Sequence, residues 1–189
     1  ACRRGVAACI LTPRAQNPTG AAFDATRVGE LRRVIRAHPD VLLIEDDHAG
    51  PIAGTPPFTL CDRKRARWVV VRSVSKSLGP DLRLAVLSGD ATTIARVEGR
   101  QLIGTGWVSH VLQRLVASLW SDQATTKRVQ HAAATYTARR QKLLDALARR
   151  GIAAHGRSGL NVWIPVPEEL TVVRSLLDAG WAVNGGERY

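Results

Sequence analysis

The stretch Val69-Val-Val-Arg-Ser-Val-Ser-Lys76 decides how the rest of the sequence is interpreted. Its first residues form an apolar run that predicts a buried strand, and a lysine follows just beyond that run. The chain contains 23 Arg and only 4 Lys, so arginine serves almost wherever a positive charge is needed. An arginine side chain stays protonated, whereas a lysine amine can lose its proton and attack a carbonyl carbon. Lys76 is therefore a candidate for covalent chemistry, although this stretch alone favours a lysine that simply ends a strand.

Two further apolar runs, at residues 6–11 and 41–44, predict buried strands on either side of a helix. Asp24 can cap that helix. Its apolar positions are expected on one face: Val28, Leu31, Val34 and Ile35. Strand, helix and strand of these lengths predict a right-handed βαβ unit, which belongs to a parallel sheet.

The remaining pattern predicts a two-part α/β chain. Strands are predicted at residues 69–72 and 84–87, and helices at 91–103, 107–121, 125–150 and 167–179. Residues 156–165 are predicted as a loop and strand, and residues 181–183 as the start of another strand. We therefore expect a large domain over residues 1–130, with a mostly parallel sheet flanked by helices. Residues 131–189 are expected to form a long connecting helix and part of a small C-terminal α/β domain.

Composition limits the functional classes. The net charge of +11 invites a nucleic-acid interpretation, but the arginines are scattered in pairs, and their densest cluster, residues 63–67, lies in a predicted loop. We interpret that cluster as solvated surface. No apolar run is long enough to span a membrane. Cys2, Cys9 and Cys61 are odd in number and lack metal-ligand spacing, which fits a reducing cytoplasm without disulfides or a zinc site.

Four strings occur in an order that carries a family resemblance. They are Ile10-Leu-Thr-Pro-Arg-Ala-Gln-Asn-Pro-Thr-Gly20, Val41-Leu-Leu-Ile-Glu-Asp-Asp-His48, Ser73-Val-Ser-Lys76 and Gly79-Pro-Asp-Leu-Arg83. Together they resemble the aminotransferase-like, fold-type I enzymes that use pyridoxal 5′-phosphate (PLP). In detail they are most similar to the effector domain of MocR-type transcription regulators, a branch of the GntR superfamily. The resemblance extends over essentially all 189 residues.

The resemblance implies a role for each residue of a PLP site. Lys76 would carry the cofactor as an internal aldimine and act as the catalytic residue, and Asp46 would hold the pyridine nitrogen protonated. Asn17 would hydrogen-bond the ring oxygen O3′. Ser73 and Arg83 would contact the phosphate, and Ser75 is either a further phosphate contact or a local one.

Two departures from the family pattern stand out. His48 occupies the place where the family usually has a tyrosine that contacts O3′, and a histidine can donate a similar hydrogen bond. The phosphate-binding glycine segment expected before Asn17, and the arginine that grips the substrate carboxylate, are not found. We therefore expect an internal fragment of a longer protein, which on its own would bind PLP poorly.

The resemblance leaves three functions open. The favoured one is a MocR/GntR-type transcription regulator that senses PLP or its adduct with an amino acid. Its DNA contact would come from a winged helix-turn-helix domain that is not present in this chain. The alternative is a genuine class I/II aminotransferase acting on an amino acid and a 2-oxo acid, and the third is a fold that has lost the cofactor. Because members of this family pair as homodimers, we expect a homodimer for the intact protein, and the cysteine content favours a cytoplasmic location.

Overall fold

The computed structural model describes residues 5–189, which contain one four-stranded sheet. Its strands, in their order across the sheet, are β1 (Ala8–Leu11), β2 (Leu42–Asp46), β3 (Trp68–Ser73) and β4 (Ala85–Gly89). The first three strands are parallel, and β4 runs antiparallel to β3. The predicted mostly parallel sheet is therefore confirmed, with β1 and β4 at its two edges.

Five α-helices accompany the sheet within the described residues: α1 (Ala25–Arg36), α2 (Ala91–Ile103), α3 (His110–Ser121), α4 (Gln123–Ala148) and α5 (Glu169–Asp178). Asp24 caps α1 by accepting a hydrogen bond from the backbone of Arg27, as the sequence predicts. Asp90 and Asp122 cap α2 and α4 in the same way. A short 3-10 turn, Gly50–Ala53, lies in the Pro-rich segment after β2.

The main core lies between α1 and one face of the sheet. Its buried residues are Val28, Leu43, Leu60 and Cys61. Leu31 and Ile35 pack against them, as expected for positions on one helical face. Val34 was predicted on that face but is 54% exposed, because its position falls off the line that joins residues 28, 31 and 35. A separate cluster of Val74, Leu84 and Val116 fastens the segment after β3 to α3.

The predicted strand at residues 181–183 is wrong. These residues form no strand, and Trp181 instead donates its backbone N–H to the carbonyl of Leu176 at the end of α5. A strand needs a partner for its backbone groups, and none of the described residues supplies one here. In the segment predicted as loop and strand, the sole pairing is a bridge between His155 and Trp163.

The basic cluster at residues 63–67 was interpreted as solvated surface, and Arg63, Lys64 and Arg67 are exposed in the structure, whereas Arg65 is half-buried. Arg65 donates to the carbonyls of His38 and Val41 at 2.7 and 2.5 Å, just beyond α1. Arg67 donates to the carbonyl of Asp40 at 2.9 Å. Arg65 also donates to the carbonyl of Ile35, in the last turn of α1, at 3.1 Å, and cationic side chains commonly bond the carbonyls at a helix C-terminus. Two arginines of the cluster thus contact the backbone at and after the end of α1, which a list of charges along the sequence does not reveal.

Residues 5–189 offer neither a membrane span nor a metal site. None of the helices there combines the length and the apolar character that a membrane span requires, and no group of His, Cys, Asp and Glu side chains is arranged to hold a metal ion.

Cys61 is buried, and burial, with the Glu45 carboxylate nearby, raises the pKa of its thiol to about 12. Cys2 lies outside the described residues.

Candidate functional site

Parallel pairing brings the candidate residues to one edge of the sheet. Asp46 is the last residue of β2 and Ser73 is the last residue of β3. Lys76 follows shortly after Ser73, and Asn17 lies in the turn that follows β1. The carboxyl ends of parallel strands are where ligands bind in open α/β sheets. Residues from three separate strings are therefore gathered at one edge.

The antiparallel strand β4 brings Arg83 to the same edge. Ser73 pairs with Ala85, so the residues just before β4 lie beside those just after β3. Two hydrogen bonds join these segments: the backbone N–H of Val74 donates to the carbonyl of Leu84, and the Ser75 hydroxyl donates to the carbonyl of Leu82, both at 3.1 Å. The Ser75 hydroxyl is thus used in a local contact, one of the two roles predicted for it.

Four of the candidate side chains make no hydrogen bond or ion pair with any described residue: Asp46, His48, Lys76 and Arg83. Lys76 and Arg83 are exposed, and Asp46 and His48 are half-buried. Charged side chains with a purely structural role are normally paired with an opposite charge when one is within reach. The adjacent Asp47, which pairs with Arg14, is an example. An amine, a carboxylate and a guanidinium that lie at one sheet edge and pair with no described residue fit a ligand carrying a carbonyl, a cationic ring and an anionic group.

Asp47, adjacent to Asp46, behaves oppositely. It is 2% exposed and accepts two hydrogen bonds from Arg14, each 2.8 Å long. Arg72 of β3 donates a further bond at 2.9 Å. Burial alone would raise the pKa of the Asp47 carboxyl, but Arg14 and Arg72 outweigh that effect and hold the pKa below its usual value. Asp47 therefore remains charged and ties the ends of β1, β2 and β3 together.

Sequence reasoning missed this triad, although one signal was present. Side chains alternate between the two faces of a strand, so Asp47 continues the side of Glu45, and Asp46 faces the other way. Glu45 is 1% exposed and accepts bonds from Thr59 and Leu60. The two neighbouring aspartates thus have separate environments, one structural and one open.

Comparison with known proteins agrees with this geometry. The family model for aminotransferase class I and II matches residues 1–188. The chain belongs to this family. It is also 39% identical, over 190 aligned residues, to the vitamin B6 salvage pathway transcriptional repressor PtsJ of Salmonella typhimurium. That alignment covers 100% of this chain and 44% of the repressor, so the chain spans less than half of this relative's length.

Solved aminotransferases share the fold. A mutant aspartate aminotransferase of Thermus thermophilus superposes with a TM-score of 0.86 and 22% identity, covering 98% of this chain and 54% of that one. The aromatic aminotransferase of Pyrococcus horikoshii gives a TM-score of 0.84 and 19% identity, covering 98% and 53%. At such identities the likeness establishes the fold, and the predicted aminotransferase-like α/β fold is confirmed.

Class I and II aminotransferases depend on PLP, so the family membership confirms the predicted cofactor class. The residues present fit this group, because Lys76, Asp46 and Arg83 offer an amine, a carboxylate and a guanidinium that nothing described neutralises. The assignment of the individual contacts remains a prediction.

The turn that carries Asn17 is braced by a distant segment that sequence reasoning placed in the second domain. Ser158 is fully buried, and its hydroxyl accepts from the backbone of Ala15 at 3.2 Å and donates to the carbonyl of Ala53 at 2.9 Å. The backbone N–H of Ser158 donates to the carbonyl of Gly20 at 2.9 Å. Residues 156–161 are therefore inserted between the Asn17 turn and the 3-10 turn after β2.

The same segment is held from its other side by α4. Arg140 is 8% exposed and donates to the backbone carbonyls of Gly159 and Arg157, at 2.5 and 3.3 Å. Burial lowers the pKa of the Arg140 guanidinium. Beyond these anchors, the side-chain amide Nδ2 of Asn161 donates to Oδ1 of Asn17 at 3.0 Å. No motif in the sequence pointed to Asn161 or Ser158.

Proposed function

We propose that this chain is the PLP-binding, aminotransferase-like effector part of a MocR/GntR-type transcription regulator, which senses PLP or its adduct with an amino acid. The observation that carries this proposal is the 39% identity to a vitamin B6 salvage repressor over the full chain. Lys76 and Asp46, which pair with no described residue at the sheet edge, support it, because a fold that had lost its cofactor would have no reason to keep both groups open.

Bound PLP would supply an aldehyde and an electron-withdrawing ring. The Lys76 amine would provide the covalent link, and its exposure leaves it open to approach. Asp46, at the end of β2, would keep a proton on the ring nitrogen through its negative charge. Neither side chain would first have to break a hydrogen bond or ion pair with a described residue.

The phosphate end is proposed to lie between Ser73 and Arg83. The Ser73 hydroxyl oxygen accepts from the backbone N–H of Ser75 at 3.2 Å, which leaves its hydrogen available for an anion. Arg83 is exposed and presents a guanidinium that can grip phosphate through two parallel bonds. The hydrogen bonds around Leu82 and Leu84 keep this arginine close to the segment that carries Lys76.

The ring oxygen O3′ is proposed to receive hydrogen bonds from Asn17 and His48. Asn17 reaches the edge from the turn after β1, and His48 comes after β2.

We also propose that the chain divides into a large domain over residues 1–130 and a connecting helix with a small domain over residues 131–189. In that arrangement the Asn17 turn would lie where residues 156–161 of the second part touch the first.

Several properties of the whole protein are proposals as well. DNA binding would come from a winged helix-turn-helix domain outside these residues, the effector would be an amino acid or 2-oxo acid, and the location would be cytoplasmic. A homodimer is supported by an exposed apolar surface around the loop between α2 and α3. Ile103, Trp107 and Val111 there are 84%, 74% and 75% exposed. Large exposed apolar patches commonly mark association surfaces.

A genuine aminotransferase is the second candidate, because the solved structures that share the fold are aminotransferases. Every PLP-handling residue proposed above is compatible with transfer of an amino group. The two candidates differ in the fate of the complex once the effector has bound: a regulator would hold it as a stable complex, whereas an enzyme would turn it over.

The test is borohydride reduction of the intact protein with PLP, followed by peptide mass mapping. We expect a phosphopyridoxyl adduct on the peptide containing Lys76 and none after Lys76→Ala. Lys142→Ala, which removes an exposed lysine of α4, is the matched control and should keep the adduct. Absence of any adduct would refute both PLP-dependent functions. Adding amino acids and 2-oxo acids then separates the candidates, because steady product formation would favour the enzyme.

A further inference from the structure

The side chains of Asn161 and Asn17 meet although 144 positions separate them in the chain. We propose that Asn161 is a positioning residue that orients the amide of Asn17, so that its NH2 group faces the ring oxygen O3′ of bound PLP. This inference rests on the proposed function, because it assigns Asn17 to O3′. It assigns a role in positioning a cofactor-binding side chain to a residue that follows α4 in the chain.

The orientation is set by the chemistry of an amide side chain, which carries an acceptor oxygen on one side and a donor nitrogen on the other. Oδ1 of Asn17 accepts from Nδ2 of Asn161 at 3.0 Å. Nδ2 of Asn17 therefore faces away from Asn161, and it makes no hydrogen bond within the described residues. It stays available as a donor.

Without this contact the orientation would be undefined. The terminal torsion of asparagine is broad and roughly two-fold, so its oxygen and nitrogen can exchange places. Asn17 is exposed, and its side chain makes no other hydrogen bond with a described residue. An exchanged amide would present its oxygen to O3′, and two acceptors would then face each other.

Asn161 can fix the orientation of the Asn17 amide because hydrogen bonds hold its own segment, residues 156–161, in place. Ser158 and Gly159 are bonded to the 3-10 turn after β2, and Arg140 holds the segment from α4. The backbone also approaches the Asn17 turn closely, since a Cβ at Gly20 would lie 2.7 Å from the carbonyl oxygen of Asn161. A displacement of this segment would consequently be transmitted to the Asn17 amide.

The two asparagines lie on the wall of one cavity of about 510 Å³. The ionisable side chains that line it are Glu169 and Tyr189, and Glu169 already accepts a bond from the backbone of Gly186 at 2.6 Å. Asn184 lines the same cavity, is exposed, and makes no hydrogen bond with Asn17. It therefore provides a matched position for a control.

The experiment compares Asn161→Asp, Asn161→Ala and Asn184→Asp in the intact protein loaded with PLP. The readout is the pH midpoint of the visible absorbance of the bound cofactor. A carboxylate at position 161 can only accept, so the Asn17 amide would turn its NH2 group toward it and away from O3′. Losing a hydrogen bond to a charged oxygen should raise the midpoint by about one pH unit.

Asn161→Ala should raise the midpoint by a smaller amount, and Asn184→Asp should leave it unchanged. An unchanged midpoint in both Asn161 variants would overturn the inference while leaving the proposed function intact. An equal shift in Asn184→Asp would also overturn it, because a charge in the cavity would then suffice. If Asn161→Asp fails to fold in a thermal melt, Asn161→Ala decides. A wild-type protein without bound PLP would overturn both proposals.

Discussion

Asp46 and Asp47 are adjacent carboxylates with opposite surroundings, so replacing each by asparagine separates stability from cofactor binding. Asp47→Asn would leave the charge of Arg14, which is 6% exposed, without its counter-ion. Removing one partner of a buried ion pair costs about 3–5 kcal/mol. Arg72 adds little to this figure, because its side chain is 48% exposed and solvent screens the pair. Asp46→Asn breaks no hydrogen bond or ion pair with a described residue and should cost less than about 0.5 kcal/mol.

The assay is urea unfolding of the intact protein without PLP, followed by PLP titration of the folded variants. We expect a large fall in the urea midpoint for Asp47→Asn at an unchanged slope, and a near-normal midpoint for Asp46→Asn. Asp46→Asn should instead lose PLP affinity. The reasoning would be refuted if Asp47→Asn lost less than about 1 kcal/mol, or if Asp46→Asn lost as much as its neighbour.

The pH dependence gives an independent check on the same carboxylate. The pKa of Asp47 is lower in the folded state than in the unfolded state, where it is about 3.9. The stabilisation that the Asp47 carboxylate gives is therefore fully present above about pH 3.9 and is lost as the pH falls through the folded-state pKa. The difference in unfolding free energy between the wild type and Asp47→Asn should therefore be constant at neutral pH and shrink below about pH 4.

Three further predictions concern the bracing of the site and one helix end. Ser158→Ala should lower the unfolding free energy by about 1–3 kcal/mol in urea titration, since the buried backbone N–H of Ala15 loses its hydrogen-bond acceptor. Ser121→Ala, at an exposed position of α3, should change it little. Gly159→Ala should destabilise the protein in a thermal melt, because φ at this residue is 76° and the added Cβ would collide with Ala15. The control is Gly106→Ala, where φ is 77° but no atom lies near the added Cβ, so that it separates backbone strain from collision. Asp90→Ala should cost about 1 kcal/mol as a lost N-cap. Hydrogen bonding, led by the Thr93 side chain, lowers the pKa of Asp90 to about 2, so this stabilisation should be lost as pH falls from about 4 toward 2.

Much of the fold was predictable from local pattern. The βαβ unit at the start of the chain is indicated by two apolar runs and a capped helix between them, and the cap at Asp24 is confirmed. Strand β3 and helices α2, α3 and α4 were predicted to within a few residues. The predicted strand at residues 181–183 failed because a strand depends on a partner elsewhere in the chain.

The candidate site, like the fold, has features that the sequence predicts and contacts that it does not. The sequence alone determined the family, the cofactor class and the residue types available for the chemistry, because strings such as Ser73-Val-Ser-Lys76 are continuous along the chain. Only the tertiary structure decided that Asp47 is buried between two arginines and that Asn161 contacts Asn17. Such contacts join residues far apart in the chain, and no local spacing records them. Their formation depends on how strands and loops pack, which is a property of the folded chain as a whole.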